Sequence, residues 1–387
     1  MNNSLGNTAK SASTTPDEAR VERYRMQSEA RRLLPPLDRV QGCLRWPTGG
    51  GNGRVAVKYR RKAGYAYYSG LQTCGQIWKC PVCAGKITER RRLLWSQAIA
   101  KPKNAETVIE DGILVKHVAS HYRLAMATFT IQHNKGDSLE ELLSILDRAY
   151  QLTWSGRWAV QYKSQAETIG TVRALEVTNG ENGWHPHIHC LFITQSDDMR
   201  YSLVWYANTL KSRWIKSVIK AGGNASFSHG VDFRVADISV VEYIDKIGMD
   251  VSYTKQSTGI VSEATKYPTK KARGEGAGLF GMLGQSTDGN SSASLNWLTA
   301  QRNLKGRRHI APSKGLLRTL GASQELTDDN LAATDLHQIG DETLALLERS
   351  EWDIIDRREL RAQLLNIAQT GNAQTVEDFL VEVGARK

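Results

Sequence analysis

Apolar residues follow two different periods along this chain, and the change of period marks its elements. Residues 124–131, Leu-Ala-Met-Ala-Thr-Phe-Thr-Ile, are rich in strand formers and predict a buried strand. Ser138 with Glu141 makes a capping box. Leu139, Leu142, Leu143, Leu146 and Tyr150 then give a helix one apolar face. Residues 171–178 and 187–194 predict two further strands, joined by a turn that begins at Asn179-Gly180. An amphipathic helix over 199–220 stops at Gly222-Gly223, and residues 226–235 supply a fourth strand. The succession β-α-β-β-α-β predicts an α+β protein whose core is a ferredoxin-like antiparallel sheet. Asp237 caps a short helix over 238–247.

The flanks differ in composition. Residues 1–38 read as a mostly disordered segment with a short basic helix over 21–34, ended by Pro35-Pro36. Residues 39–100 hold a Cys-rich module, with short strands at 55–59 and 65–68, followed by a basic helix. The central core spans 110–265. Residues 266–296 read as a Gly/Ser-rich linker. Residues 297–387 read as a basic segment followed by an acidic helical C-terminal region, without internal repeats.

Charge sharpens this division. The 387 residues carry a formal net charge of +11, but residues 321–387 hold 14 acidic and 6 basic side chains, or −8. The first 320 residues therefore carry +19. A basic body of this kind predicts a polyanionic partner, with nucleic acid the common one. No run approaches the roughly 18 apolar residues of a membrane span. The N-terminal residues lack the apolar stretch of a secretory signal, so a cytoplasmic location is expected.

The candidate chemistry lies on the second hairpin strand. Its side chains alternate, so His187 and His189 share one face while Ile188, Cys190 and Phe192 share the other. If the hairpin closes symmetrically about residues 181 and 182, Glu176 stands opposite His187, with Cβ atoms about 5 Å apart. Two imidazoles and one carboxylate with open positions suit a catalytic divalent ion. A strand carrying partly buried histidines is the bland alternative; three histidines in five residues beside an opposed Glu favour the metal. Cys74, Cys80 and Cys83, joined by Cys43, suit a structural Zn²⁺ ion held by four thiolates. A redox dithiol is the other reading of Cys-Pro-Val-Cys, but no thioredoxin-like βαβ pattern accompanies it. Tyr243 and Lys246 sit three residues apart on the short helix, so phenol and ammonium share a face. Lys86, Arg90, Arg91 and Arg92, with Lys305, Arg307 and Arg308, form two basic clusters for phosphate contact.

These motifs together resemble the plasmid rolling-circle replication initiators of the HUH endonuclease superfamily, single-tyrosine group. Thr128-Phe-Thr130 looks like the first motif, His187-Ile188-His189 the metal-binding second, and Tyr243-x-x-Lys246 the nucleophile motif, in the expected order. The Trp-Lys-Cys-Pro-Val-Cys segment and Lys305-Gly-Arg-Arg-His309 are similar to the same group. The resemblance implies Mg²⁺ or Mn²⁺ held by His187, His189 and Glu176. It implies attack by Tyr243 on origin DNA, single-stranded at the nick site, with Lys246 steadying the tyrosinate or phosphate. The products would be a 5′-phosphotyrosyl link and a 3′-OH primer, with later rejoining. Host helicase and polymerase are the implied partners. Some members carry Glu four residues before the Tyr, where this chain has Ser239. A transposase or relaxase of the same superfamily, and a non-enzymatic zinc-containing DNA-binding regulator, are the competing readings.

Overall fold

The structure is a computed structural model that describes residues 16–49, 53–61, 64–100, 107–110, 113–116, 122–195, 198–235, 277–321, 326–333 and 341–387. Helix α1 (Pro16–Leu33) carries Asp17 and Glu18 in its first turn and Arg31 and Arg32 in its last. Both ends thus complement the helix dipole. The helix begins before the expected residue 21, and it buries Ala19 and Arg20, which disordered chain would not do.

Strands β1 (Val55–Arg60) and β2 (Tyr65–Ser69) form a hairpin. Helix α2 (Pro81–Ala100) leaves the cysteine module, and β3 (Thr107–Glu110) pairs with β4 (Ile113–Lys116) as a separate ribbon. The core then follows the expected succession: β5 (Arg123–Thr130), α3 (Leu139–Thr153), β6 (Thr168–Gly180), β7 (Gly183–Thr194), α6 (Leu203–Lys220) and β8 (Val231–Val235). Two short helices interrupt it, α4 (Gly156–Gln165) and α5 (Asp198–Tyr201). The fourth strand is shorter than expected, because residues 226–230 turn, with the Gly230 N–H bonded to the Ser226 carbonyl.

Beyond it come β9 (Ala277–Gly278), α7 (Leu279–Thr287), α8 (Ser291–Leu304), β10 (Ile310–Pro312), α9 (Leu316–Thr319) and α10 (Asp328–Ala333). The chain ends with β11 (Glu342–Leu347), α11 (Arg349–Arg357), α12 (Arg361–Ala368) and α13 (Ala373–Glu382).

The central sheet runs β10-β6-β7-β5-β8, every pair antiparallel, with β9 added to the end of β6. One face buries Phe129, Leu175, Ile188, Cys190 and Phe192 against α3 and α6, which contribute Leu143, Leu146, Leu210 and Trp214. On the other face, Leu124, Met126, Leu191 and Ile193 are covered by Trp95, Ala98 and Ile99 of α2 and by Leu316 and Leu317 of α9. The rest of that face carries the polar side chains described below.

Two expectations are corrected. Residues 279–296 of the expected linker lie in α7 and α8. Their Gly and Ser content concealed buried Leu279, Phe280, Met282 and Leu283. The C-terminal region is not wholly helical, because β11 pairs with β1 and makes a three-stranded sheet β11-β1-β2. A short apolar run is ambiguous in period, and the free edge of β1 selects the strand. No helix among the described residues is long and apolar enough to cross a membrane.

Candidate metal centres and DNA-contact surface

Strand pairing sets the first centre. The hairpin of β6 and β7 places Gly180 opposite Gly183, so Glu176 faces His187 and Ala174 faces His189, as symmetric closure requires. Gly183 has φ 85, and a Cβ there would lie 2.9 Å from the Lys135 backbone. Only glycine fits both conditions. Glu176 Oε2 lies 3.0 Å from Nε2 of His187 and 3.0 Å from Nε2 of His189. Adjacent octahedral ligands at about 2.1 Å from a cation are about 3.0 Å apart, so the donors sit at metal-ligand spacing. Burial opposes ionisation of Glu176, but hydrogen bonds and charge from His187 and His189 hold its carboxyl well below the usual range. The group is thus an anion aimed at a shared point.

The two imidazoles are held from behind. His189 Nδ1 lies 3.0 Å from Thr128 Oγ1, and Thr128 is the residue that β5 places opposite His189. His187 Nδ1 lies 3.4 Å from the His185 carbonyl. With Nδ1 occupied, Nε2 presents its lone pair to a cation. Sequence reading placed Thr128 in a motif without a role, and its signal was strand parity alone. His185 is a neighbour of the triad: its ring stacks on His133 at 4.9 Å. Burial first, then nearby His187 and His133, push its imidazole down to about 4, so it is neutral at physiological pH.

The second centre joins parts distant in sequence. Cys43, Cys74, Cys80 and Cys83 are all buried, with ligand atoms gathered within 4.8 Å of one another. Sγ separations are 3.7 Å for Cys43–Cys80, 3.4 Å for Cys43–Cys83 and 3.6 Å for Cys74–Cys83. Tetrahedral Zn–S bonds of about 2.3 Å place sulfurs about 3.8 Å apart, so the set fits zinc. Cys80 Sγ also accepts from Gln27 Nε2 at 3.3 Å and from the Cys83 N–H at 3.5 Å. Gln27 Oε1 in turn accepts from Arg361 at 3.0 Å, which ties a C-terminal helix to the cluster. Neither Gln27 nor Arg361 carried any sequence signal.

Tyr243 and Lys246 lie outside the described residues. The expected DNA-contact groups divide. Lys305 and Arg308 are exposed, and Lys86 is half-buried. Arg307 instead pairs with Asp147 and donates to the Asn303 carbonyl. Arg91 pairs with Asp328, and Arg90 donates to the Leu331 carbonyl. Helical spacing put these arginines on a basic helix but could not show that an acidic segment covers them.

A mixed α/β protein with antiparallel sheets, a four-cysteine cluster and a histidine–carboxylate triad is the class defined so far. The chain belongs to the Replication protein family, whose model matches residues 71–359. It is 27% identical over 379 residues to "Protein rep" of Streptomyces lividans, covering 79% of this chain and 77% of that protein. It is also 34% identical over 159 residues to the "Neomycin resistance protein" of Streptomyces cyanogenus, covering 35% of this chain and 33% of that protein. No solved structure matches. The resemblance to replication proteins drawn from the motifs therefore stands at the level of the family.

Proposed function

We propose that this replication protein is a plasmid rolling-circle initiator, a metal-dependent nickase that cuts one strand of origin DNA with a tyrosine nucleophile. The observation that carries the reading is the convergence of His187 Nε2 and His189 Nε2 on Glu176 Oε2, 3.0 Å from each. The sheet order β8-β5-β7-β6 supports a ferredoxin-like HUH core, since the first and third strands of the succession lie side by side at its centre.

A divalent ion, Mg²⁺ or Mn²⁺, would polarise the scissile phosphate and offset its charge. His187, His189 and Glu176 would hold it, with Thr128 fixing the His189 ring. The Tyr243 oxygen attacks phosphorus, the bond from phosphorus to the 3′ oxygen breaks, and that oxygen leaves as a hydroxyl after taking a proton. The phenol proton is lost as the new ester forms, so the bond count is unchanged and the strand can be rejoined. Lys246 offsets charge on the phenolate or phosphate. The 3′-OH then serves a host polymerase as primer, behind a host helicase. The cysteine cluster is a structural Zn²⁺ site, and the exposed Lys305 and Arg308 contribute phosphate contacts. A cytoplasmic location follows from this role.

Supercoiled plasmid carrying the protein's own origin tests the reading. With Mg²⁺ or Mn²⁺ it should become nicked circles with protein on the 5′ end, and Tyr243→Phe should abolish this. Binding without cleavage under every metal condition would instead support a DNA-binding regulator.

A further inference from the structure

Three guanidinium groups of the N-terminal region converge on one acidic helix. Arg39 donates to both carboxylate oxygens of Asp329, the closer at 2.6 Å. Arg91 pairs with Asp328, and Arg90 donates to the Leu331 carbonyl. All three acceptors belong to α10, which has six residues. Gly75, next to Cys74, has φ 61, and a Cβ there would collide with the Asp329 carboxylate. The absence of a side chain lets α10 press against the cysteine loop, where Leu331 and Ala332 are buried.

The acceptors offer this arginine face much of what a nucleic-acid strand would offer, namely two carboxylates and a carbonyl oxygen in reach of planar forks. α10 lies in the segment of net charge −8, and the face it covers belongs to a body of +19. The two carboxylates are partly exposed, Asp328 by 35% and Asp329 by 58%. The Arg39–Asp329 pair, exposed on both sides, holds weakly and yields to a polyanion that releases counterions on binding, while Arg91 is buried beneath Asp328.

We propose that Arg39, Arg90 and Arg91 form a phosphate-binding face for DNA, and that α10 occupies it as an internal phosphate mimic which bound DNA displaces. The contact is therefore autoinhibitory: it weakens capture of DNA that cannot pay for displacement with enough phosphate contacts. The inference rests on the reading of the protein as a DNA-acting initiator and adds a site and its regulation to it.

The test compares Asp328→Asn/Asp329→Asn with Asp353→Asn/Asp378→Asn, which makes the same charge change away from this face. Fluorescence anisotropy with a labelled single-stranded oligonucleotide of mixed sequence reads affinity across a salt series. The first variant should bind about tenfold more tightly than wild type, with a steeper salt slope, and the second about twofold. Adding Arg39→Gln and Arg91→Gln to the first variant should remove the gain. Equal gains in both acidic variants, a gain that survives loss of the arginines, or no binding by any variant would overturn the proposal. A helix that merely packs would lower the melting temperature without changing affinity, which also overturns it. Should the double variant fail to fold, Asp329→Asn alone carries the same comparison. Origin nicking and its dependence on Tyr243 are read separately. Nicking with unchanged affinity sinks only this inference, and an affinity gain without nicking sinks only the catalytic reading.

Discussion

Thr128 Oγ1 lies 3.0 Å from His189 Nδ1, across the pairing of β5 with β7. The hydroxyl accepts from Nδ1–H in the tautomer that leaves Nε2 bare for a cation shared with Glu176. Thr128→Val keeps the side-chain shape and removes this acceptor. Mn²⁺ affinity should fall about tenfold or more, as for other partners that orient a metal ligand. Calorimetric titration with Mn²⁺ checks this, and unchanged affinity would show that Thr128 has no orienting role.

Glu176 supplies the only carboxylate of the triad among the described residues. Glu176→Gln preserves size and hydrogen-bonding capacity while removing the charge. Divalent-ion binding should weaken by more than tenfold, and origin nicking should fall with it, while circular dichroism stays that of wild type. Nicking at the wild-type rate would exclude the carboxylate from the metal site.

Cys80 Sγ is the sulfur of the cluster at which two N–H groups, Gln27 Nε2–H and the Cys83 backbone N–H, are directed. Cys80→Ser should lower bound zinc, measured by atomic emission, from about one equivalent toward zero. The same variant should unfold at lower temperature, because metal binding contributes folding free energy. Unchanged zinc content would remove Cys80 from the ligand set.

Arg361 is 1% exposed and bonds both Gln27 and the Leu44 carbonyl, while Asp356 lies beside it. Arg361→Leu leaves these two buried acceptors without their donor and removes one of the three guanidinium groups around the buried Asp356 carboxylate. Urea unfolding should show a loss of about 3 kcal/mol. A loss below about 1 kcal/mol would mean that Arg31 and Arg45 satisfy Asp356 without it.

His309 is buried against Trp78, ring edge to face at 5.1 Å, and burial first, then the charge of Arg91, push its imidazole from 6.5 down to about 3. The unfolded chain therefore takes up a proton that the native protein refuses. Stability from this group is complete above pH 6.5 and is lost as pH falls toward 3. At about 1.4 kcal/mol per pH unit, lowering the pH from 6.5 to 5 removes about 2 kcal/mol. Urea unfolding at both pH values should show that loss, and His309→Phe should flatten it. An identical slope in the variant would assign the acid sensitivity elsewhere.

The local rules were legible without coordinates. A strand repeats every two residues, so His187, His189 and, through a symmetric turn, Glu176 had to share a face. The spacing of Cys74, Cys80 and Cys83 announced a metal cluster in the same way. Capping at Ser138 and the apolar face beyond it marked α3, because both signals lie within one helical turn. Tertiary structure alone decided which distant pieces meet. It set Thr128 behind His189, bound β11 to β1, joined Arg361 through Gln27 to Cys80, and laid α10 over Arg39, Arg90 and Arg91. Periodicity reports which way a side chain points from its own backbone. What stands opposite that side chain depends on how the whole chain closes around its cores, and no local spacing encodes it.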